Sequence, residues 1–519
     1  MQASALRLLC GALLFHAACV GRVGEVASAD VDAGVPDADA GAMNGQPGVR
    51  PDSGRPKPPS DCPNQPLARG MRMKELAMYQ TVKVSLFEDG GWHHAPSRSA
   101  AIIRGKEAFA RVFVELEDDY EPHTVRGVLR LKEGDEVTTI VDTRTVREKS
   151  SDEDLGTTFN FPVKSSQISE NTEISIALEE PTCQGESGPA SATRYPEDGR
   201  FEALEAAFVD DLHIKLVPIA SNGRTPSIDP LKREEMRKTL LAYYPVPEVV
   251  IEPHDAIETT IAIDNVADQP WHDMLQEVLM LRARDHVPDH VYYVGLVQPD
   301  ESMRTFCQNG CYLGIAPTTP NRNPRAQVAL VAIFPDSPNF EAVVHELGHA
   351  HGRGHAPCAS GGAVPNADPN YPLPTGAVES WGWDFRTRTL MEPEVHMDVM
   401  GYCEPNWIST YTYSALVDRS QEVNGDALFR GIMDRRGRHV VLEANGDARW
   451  GKLDADSMPG GELESAEVLD AAGKVVTTVP ITRVRLSHTQ AQWAFIPEPK
   501  AGWTSLRLSD RIVRLDDIK

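Results

Sequence analysis

The run from His345 to His355, HELGHAHGRGH, restricts what this chain can fold into more than any other stretch. His345 and His349 are four residues apart, so a helix sets both imidazoles on one face, about one turn apart, where they can converge on a single metal ion. Glu346 lies beside the first of them, where its carboxylate can take a proton from an attacking water. Gly352 can leave helical dihedrals at little steric cost, turning the chain so that His355 returns as a third ligand. Three neutral imidazoles and one open position suit hydrolysis, because the water must stay exchangeable. The competing reading is a surface helix that happens to be rich in histidine. A bare HExxH leaves that reading real weight; the added GxxH spacing removes most of it, because five positions must then agree.

The residues ahead of the motif alternate between strand and helix patterns. Leu212–Ile219, Pro247–Pro253 and Val291–Val297 read as strands, and Leu231–Tyr244 and Trp271–Asp285 as helices, the first opened by Asp229-Pro230. Cys311–Pro317 reads as a short edge strand and the apolar run Ala326–Phe334 as a central one. Ser337-Pro338 is expected to start the motif helix, with Phe340, Val343, Val344 and Leu347 toward a core and His345 and His349 toward a cleft. His351 reads as an exposed spacing residue and Asp398 as turn structure rather than a ligand.

The full HExxHxxGxxH spacing resembles that of the metzincin superfamily of zinc endopeptidases. The resemblance implies one Zn2+ ion held by His345, His349 and His355, with Glu346 as general base. DVMGYC, around Met400, is similar to the Met-turn that supports the imidazoles from below in that superfamily; methionine is apolar, unbranched and shapes itself to ring undersides without ligating. Tyr402 stands where some branches place a tyrosine that caps the metal or stabilises the intermediate, with packing behind the ligands or in the core as the alternative. The resemblance also implies a substrate lying along an edge strand above the metal, here around Gly310 to Ala316, where an ordinary capped edge is the alternative. Cys358, WGWD, MGYC and WISTYTY together resemble secreted bacterial mucin-degrading-type metalloproteases. Tyr371, Trp381 and Trp383, in the long polar loop after the motif, read as packing aromatics before cleft ones.

The expected fold is multidomain: a metzincin-like α+β zincin catalytic domain with a mixed twisted sheet over 206–427, flanked by amino-terminal and carboxy-terminal β-rich domains. Short, often alternating runs over 63–205 suggest a β-sandwich, and those over 428–519 a small β-rich domain. Residues 1–19, with Arg7 ahead of an apolar run and small residues, have the form of a secretion signal. Cys19 after Ala17 and Ala18 resembles a bacterial lipoprotein cleavage site, with ordinary cleavage near Ala17, Ala18 or Ala27 as the alternative. Residues 20–62 are acidic and Pro-rich and read as a disordered tether that holds the folded part off a membrane. The expected setting is therefore extracellular, or the outer membrane of a Gram-negative bacterium through lipidated Cys19.

Of the eight cysteines, six lie beyond the signal: Cys62, Cys183, Cys307, Cys311, Cys358 and Cys403. An even number in an exported chain suggests disulfides, and no CxxC pair supports a structural metal site. Connectivity stays open at this level; Cys307–Cys311, Cys358–Cys403 and Cys62–Cys183 are the candidate pairs. The excess of 76 Asp plus Glu over 51 Lys plus Arg, a formal net charge of −25, argues against nucleic acid as a partner. The expected partner is a protein or glycoprotein substrate, cleaved at peptide bonds by zinc-activated water. The alternatives are a catalytically inactive metzincin-like adhesin or glycan-binding surface protein, and a zinc hydrolase acting on a non-peptide amide.

Overall fold

The computed structural model describes residues 65–265, 267–308, 310–318, 326–358, 364–424, 437–454, 457–458 and 460–518. The signal, Cys19, the tether and Cys62 lie outside these residues.

The amino-terminal part holds two antiparallel sheets. One contains Met71–Gln80, Val82–Glu88, Ala108–Leu116 and Phe159–Val163; the other contains His123–Glu133, Glu136–Val146 and Glu173–Glu179. Alternate residues turn inward, as the two-residue strand period requires: Val112, Val114, Phe159 and Phe161 from one sheet share a core with Val125, Leu129, Ile174 and Ile176 from the other. The first sheet does not close within 63–205. It gains a hairpin from much later in the chain, Gly382–Asp384 and Thr389–Met391, which joins at Val82. Trp383 stacks on Phe109 at 4.4 Å, and Trp381 and Leu390 join it over Tyr79 and Phe113. These tryptophans pack between domains and do not line the metal cleft.

The central sheet has the order Val249–Pro253, Leu212–Ala220, Val291–Val297, Val328–Ala332, Gly314–Ile315. The first four strands are parallel and the last is an antiparallel edge. Both faces are covered at its centre, which is why Val291–Val297 and Val328–Ala332 are apolar throughout. Tyr292, Val294 and Leu296 face the helices Pro230–Tyr243 and Phe340–Ala350, while Tyr293 and Val297 face the helix Asp268–Arg284. Asp229 caps the first helix by accepting from the Lys232 N–H, with Pro230 at its first position.

The motif helix begins later than Ser337-Pro338 suggests. Phe334 and Ser337 exchange backbone hydrogen bonds in a turn, and Asn339, at φ 52°, precedes a helix running Phe340–Ala350. The cap-plus-proline pattern at 337–338 belongs to that turn, which swings the chain off the central strand before the helix can start.

The carboxy-terminal sheet includes Gly437–Leu442, Glu462–Leu469, Val475–Leu486 and Gln492–Pro497. It is not a separate appendage. Val441, Val484, Leu486, Trp493 and Phe495 share a core with Trp271, Leu275 and Val278 of the helix Asp268–Arg284. Its strand Val475–Leu486 also pairs antiparallel with Pro317–Thr318, in the register Pro317↔Leu486 and Thr318↔Arg485. Cys307–Cys311 and Cys358–Cys403 are bonded. Cys183 is also disulfide-bonded, but the candidate pair Cys62–Cys183 reaches a residue outside the described ones.

Candidate metal centre

On the motif helix, His345 and His349 face the same side, and the turn after Ala350 brings His355 back to them. Gly352 makes this possible at φ 86°, a left-handed conformation that a side chain would strain. The Nε2 atom of His349 lies 3.0 Å from Nε2 of His345 and 3.0 Å from Nε2 of His355.

Each ring is held from behind. Nδ1 of His345 donates to the Val399 carbonyl at 2.7 Å, Nδ1 of His349 to the Arg353 carbonyl at 2.7 Å, and Nδ1 of His355 to the Pro365 carbonyl at 2.5 Å. A carbonyl can only accept, so each Nδ1 carries the proton and each Nε2 of a neutral ring presents a lone pair. Burial keeps the rings neutral: it pushes His345 down to about 4, and His349 and His355 well below the ordinary histidine value.

Three lone pairs brought this close repel one another unless a cation sits among them. Nitrogens bonded to one ion at 2.0–2.1 Å in a tetrahedral arrangement would be about 3.3 Å apart, close to the observed spacing. The donor set therefore fits a divalent metal ion, and the backbone carbonyls behind the rings are the outer partners that orient metal-bound histidines.

The floor of the site is the segment 397–403. Met400 is buried, and its sulfur presses against the helix at Gly348, between the two helical ligands. A Cβ at Gly348 would lie 2.3 Å from Met400 Sδ, so only glycine allows the helix to sit this low. Asp398 is fully buried and shapes the turn: it accepts from the Met400 N–H at 2.8 Å, the Ser409 N–H at 3.1 Å, the Thr412 hydroxyl at 2.7 Å and the Ser409 hydroxyl. Its role is structural, as expected. Val399, between Asp398 and Met400, is the residue whose carbonyl sets the His345 tautomer. The turn thus orients a ligand as well as supporting the helix.

His351 is not exposed. It is 4% accessible, its ring stacks on Tyr292 at 4.4 Å, and its Nδ1 donates to the Leu347 carbonyl at 2.7 Å. Burial pushes it down to about 3. It follows Leu347 by four residues, and that spacing already placed it on the apolar face of the helix.

Two side chains at the centre come from outside the motif. The Tyr402 hydroxyl is 3.2 Å from His355 Nε2. His488, from the hairpin tip between Val475–Leu486 and Gln492–Pro497, completes a cluster with His345, His349 and His355 whose ligand atoms all lie within 4.8 Å of one another. Its Nε2 is 2.6 Å from Glu346 Oε1 and its Nδ1 is 2.5 Å from the Tyr402 hydroxyl. The neighbouring Ser487 hydroxyl donates to Glu346 Oε2 at 3.1 Å. Sequence reasoning missed Ser487 and His488 because an isolated Ser-His-Thr between two strands has no periodicity or spacing that points to a metal.

The structure thus brings together His345, Glu346, His349, His355 and Tyr402, with Met400 and Gly352 in supporting places. Cys358–Cys403 ties the loop after the motif to the residue next to Tyr402. Cys307–Cys311 closes a short loop before the edge strand, away from the metal cluster in sequence and in contacts.

No family model matches the chain, and no curated protein matches it. Eighteen chains among solved structures do. One of them, described as "Structure of a chaperone-substrate complex", is 14% identical with a TM-score of 0.23, over 52% of this chain and 39% of that one. A likeness that weak carries no argument about fold or activity.

Proposed function

We propose that this chain is a zinc endopeptidase of metzincin-like organisation that hydrolyses peptide bonds of protein or glycoprotein substrates. The observation that carries this reading is the convergence of three neutral imidazoles, each with its proton turned away to a carbonyl, beside a buried carboxylate. Zinc bound there supplies Lewis acidity and a water that ionises near neutral pH.

The chain's own groups account for the remaining steps. Glu346 takes the proton of the attacking water and passes it to the departing amine. The Tyr402 hydroxyl donates to the substrate oxygen as negative charge grows on it. The backbone of Ala316, next to the edge strand, presents an N–H and a carbonyl along the cleft, and such an edge can hold an extended peptide by main-chain hydrogen bonds.

Export, and attachment through a lipidated Cys19, rest on the first residues alone. No helix among the described residues is long and apolar enough to cross a membrane.

Replacing Glu346 with Gln should lower casein cleavage roughly 10²–10⁴-fold with enzyme in excess, while zinc content by atomic absorption stays unchanged. Turnover at the parent rate in that variant would sink the mechanism.

A further inference from the structure

The cleft that this reading assigns to substrate holds a piece of the same chain. Leu486 and Arg485 extend the strand Val475–Leu486 against Pro317–Thr318. One residue further, the Ala316 N–H donates to the Ser487 hydroxyl at 2.9 Å and the Ser487 N–H donates to the Ala316 carbonyl at 3.0 Å. From the opposite side, the Asn366 amide donates to the carbonyls of Leu486 at 3.1 Å and Thr489 at 3.2 Å. Asn366 belongs to the loop that also bonds the third ligand, since its carbonyl accepts from the His355 N–H. The hairpin tip is therefore gripped between the upper edge and the lower loop, in antiparallel register, as an extended peptide would be.

The groups needed for turnover are engaged by this tip. Both oxygens of Glu346 are bonded, one to His488 and one to Ser487. The His488 ring spans the space from Glu346 to the Tyr402 hydroxyl, where water and a substrate carbonyl would have to sit. It also stacks on His345 at 5.1 Å between ring centres. His488 holds φ 58°, a left-handed conformation costly for a residue with a side chain, so the placement is imposed by the grip around it. The sheet behind the tip is anchored separately, through the shared core at Trp493 and Leu486.

We propose that the hairpin tip Ser487–Gln490 is a built-in occupant of the active-site cleft, and that the protein is latent until His488 withdraws from between Glu346 and Tyr402. The proposal rests on the endopeptidase reading for its consequence and on the geometry of the tip for its existence.

Two full-length, zinc-loaded variants test it. His488→Ala should bind acetohydroxamate, a small chelating probe, at least 10-fold more tightly than the parent by titration calorimetry, and should cleave casein at least 10-fold faster. Thr318→Cys with Arg485→Cys, oxidised to tie the tip's strand to the edge, should lose casein cleavage. Tris(2-carboxyethyl)phosphine should then restore it to the level of the parent in the same reductant. Unchanged hydroxamate affinity in His488→Ala overturns the proposal. So does loss of cleavage in that variant with zinc retained, which would make His488 a working member of the site. Undiminished cleavage by the oxidised double variant also overturns it. If no form cleaves any protein yet His488→Ala gains hydroxamate affinity, the occupant stands and the endopeptidase reading falls.

Discussion

The two β-rich domains meet the central domain in different ways. The amino-terminal sandwich places no side chain in the metal cluster: the hairpin Gly382–Asp384 and Thr389–Met391 extends its sheet, the Trp407 indole donates to the Thr81 carbonyl, and the Lys106 ammonium donates to the carbonyls of Leu241 and Tyr244 at a helix end. The carboxy-terminal sheet instead reaches the histidine cluster, placing Ser487 and His488 against Glu346. One β-domain acts as a frame and the other as part of the site. Fold class alone would not have separated them; the difference lies in which loop each domain presents to the cleft.

That contrast can be broken at the floor of the site, where the frame and the chemistry meet. Asp398→Ala removes the acceptor for Met400, Ser409 and Thr412, and should lower stability by about 3 kcal/mol in urea unfolding. Because Val399 orients His345, zinc affinity measured by chelator competition should fall with it. Unchanged zinc affinity would show that the turn is only scaffold.

A smaller effect is expected at the frame. Trp383→Ala, which removes the stack on Phe109, should cost roughly 2 kcal/mol of stability while zinc stoichiometry and hydroxamate affinity remain those of the parent. A change in hydroxamate affinity would mean that the amino-terminal domain communicates with the cleft.

The frame also carries a pH dependence, at Lys106. Burial pushes this ammonium from its ordinary 10.5 down to about 7. Between those values the unfolded chain binds more protons than the folded one, so stability rises with pH across the window, by at most about 1.4 kcal/mol per pH unit. Below pH 7 both states are protonated and the burial cost is present in full. Denaturant melts at pH 6.5 and 9.5 should show this rise in the parent and its loss in Lys106→Met; an equal rise in both would place the titration elsewhere.

Much of the metal centre was legible from short-range pattern. His345, Glu346, His349 and His355 are linked by helical spacing and one glycine turn, which depend on a few consecutive residues. The inner strands Val291–Val297 and Val328–Ala332 were legible for a similar reason: burial on both faces leaves an apolar run that marks itself. The burial of His351 was also available, through its spacing from Leu347, and was overlooked because histidine suggested a surface.

What the sequence by itself determined is a set of three imidazoles at a spacing that a helix and a turn bring together, where they could hold one metal ion, with the Glu346 carboxylate beside them. Tertiary structure alone decided what stands in front of them. Glu346 and His488 are 142 residues apart, with no local periodicity connecting them. Their meeting depends on a sheet docking through Trp271 and Trp493 and on a strand pairing at Pro317 and Leu486. Those contacts are made between surfaces formed only after each domain has folded, so no window of neighbouring residues could announce them.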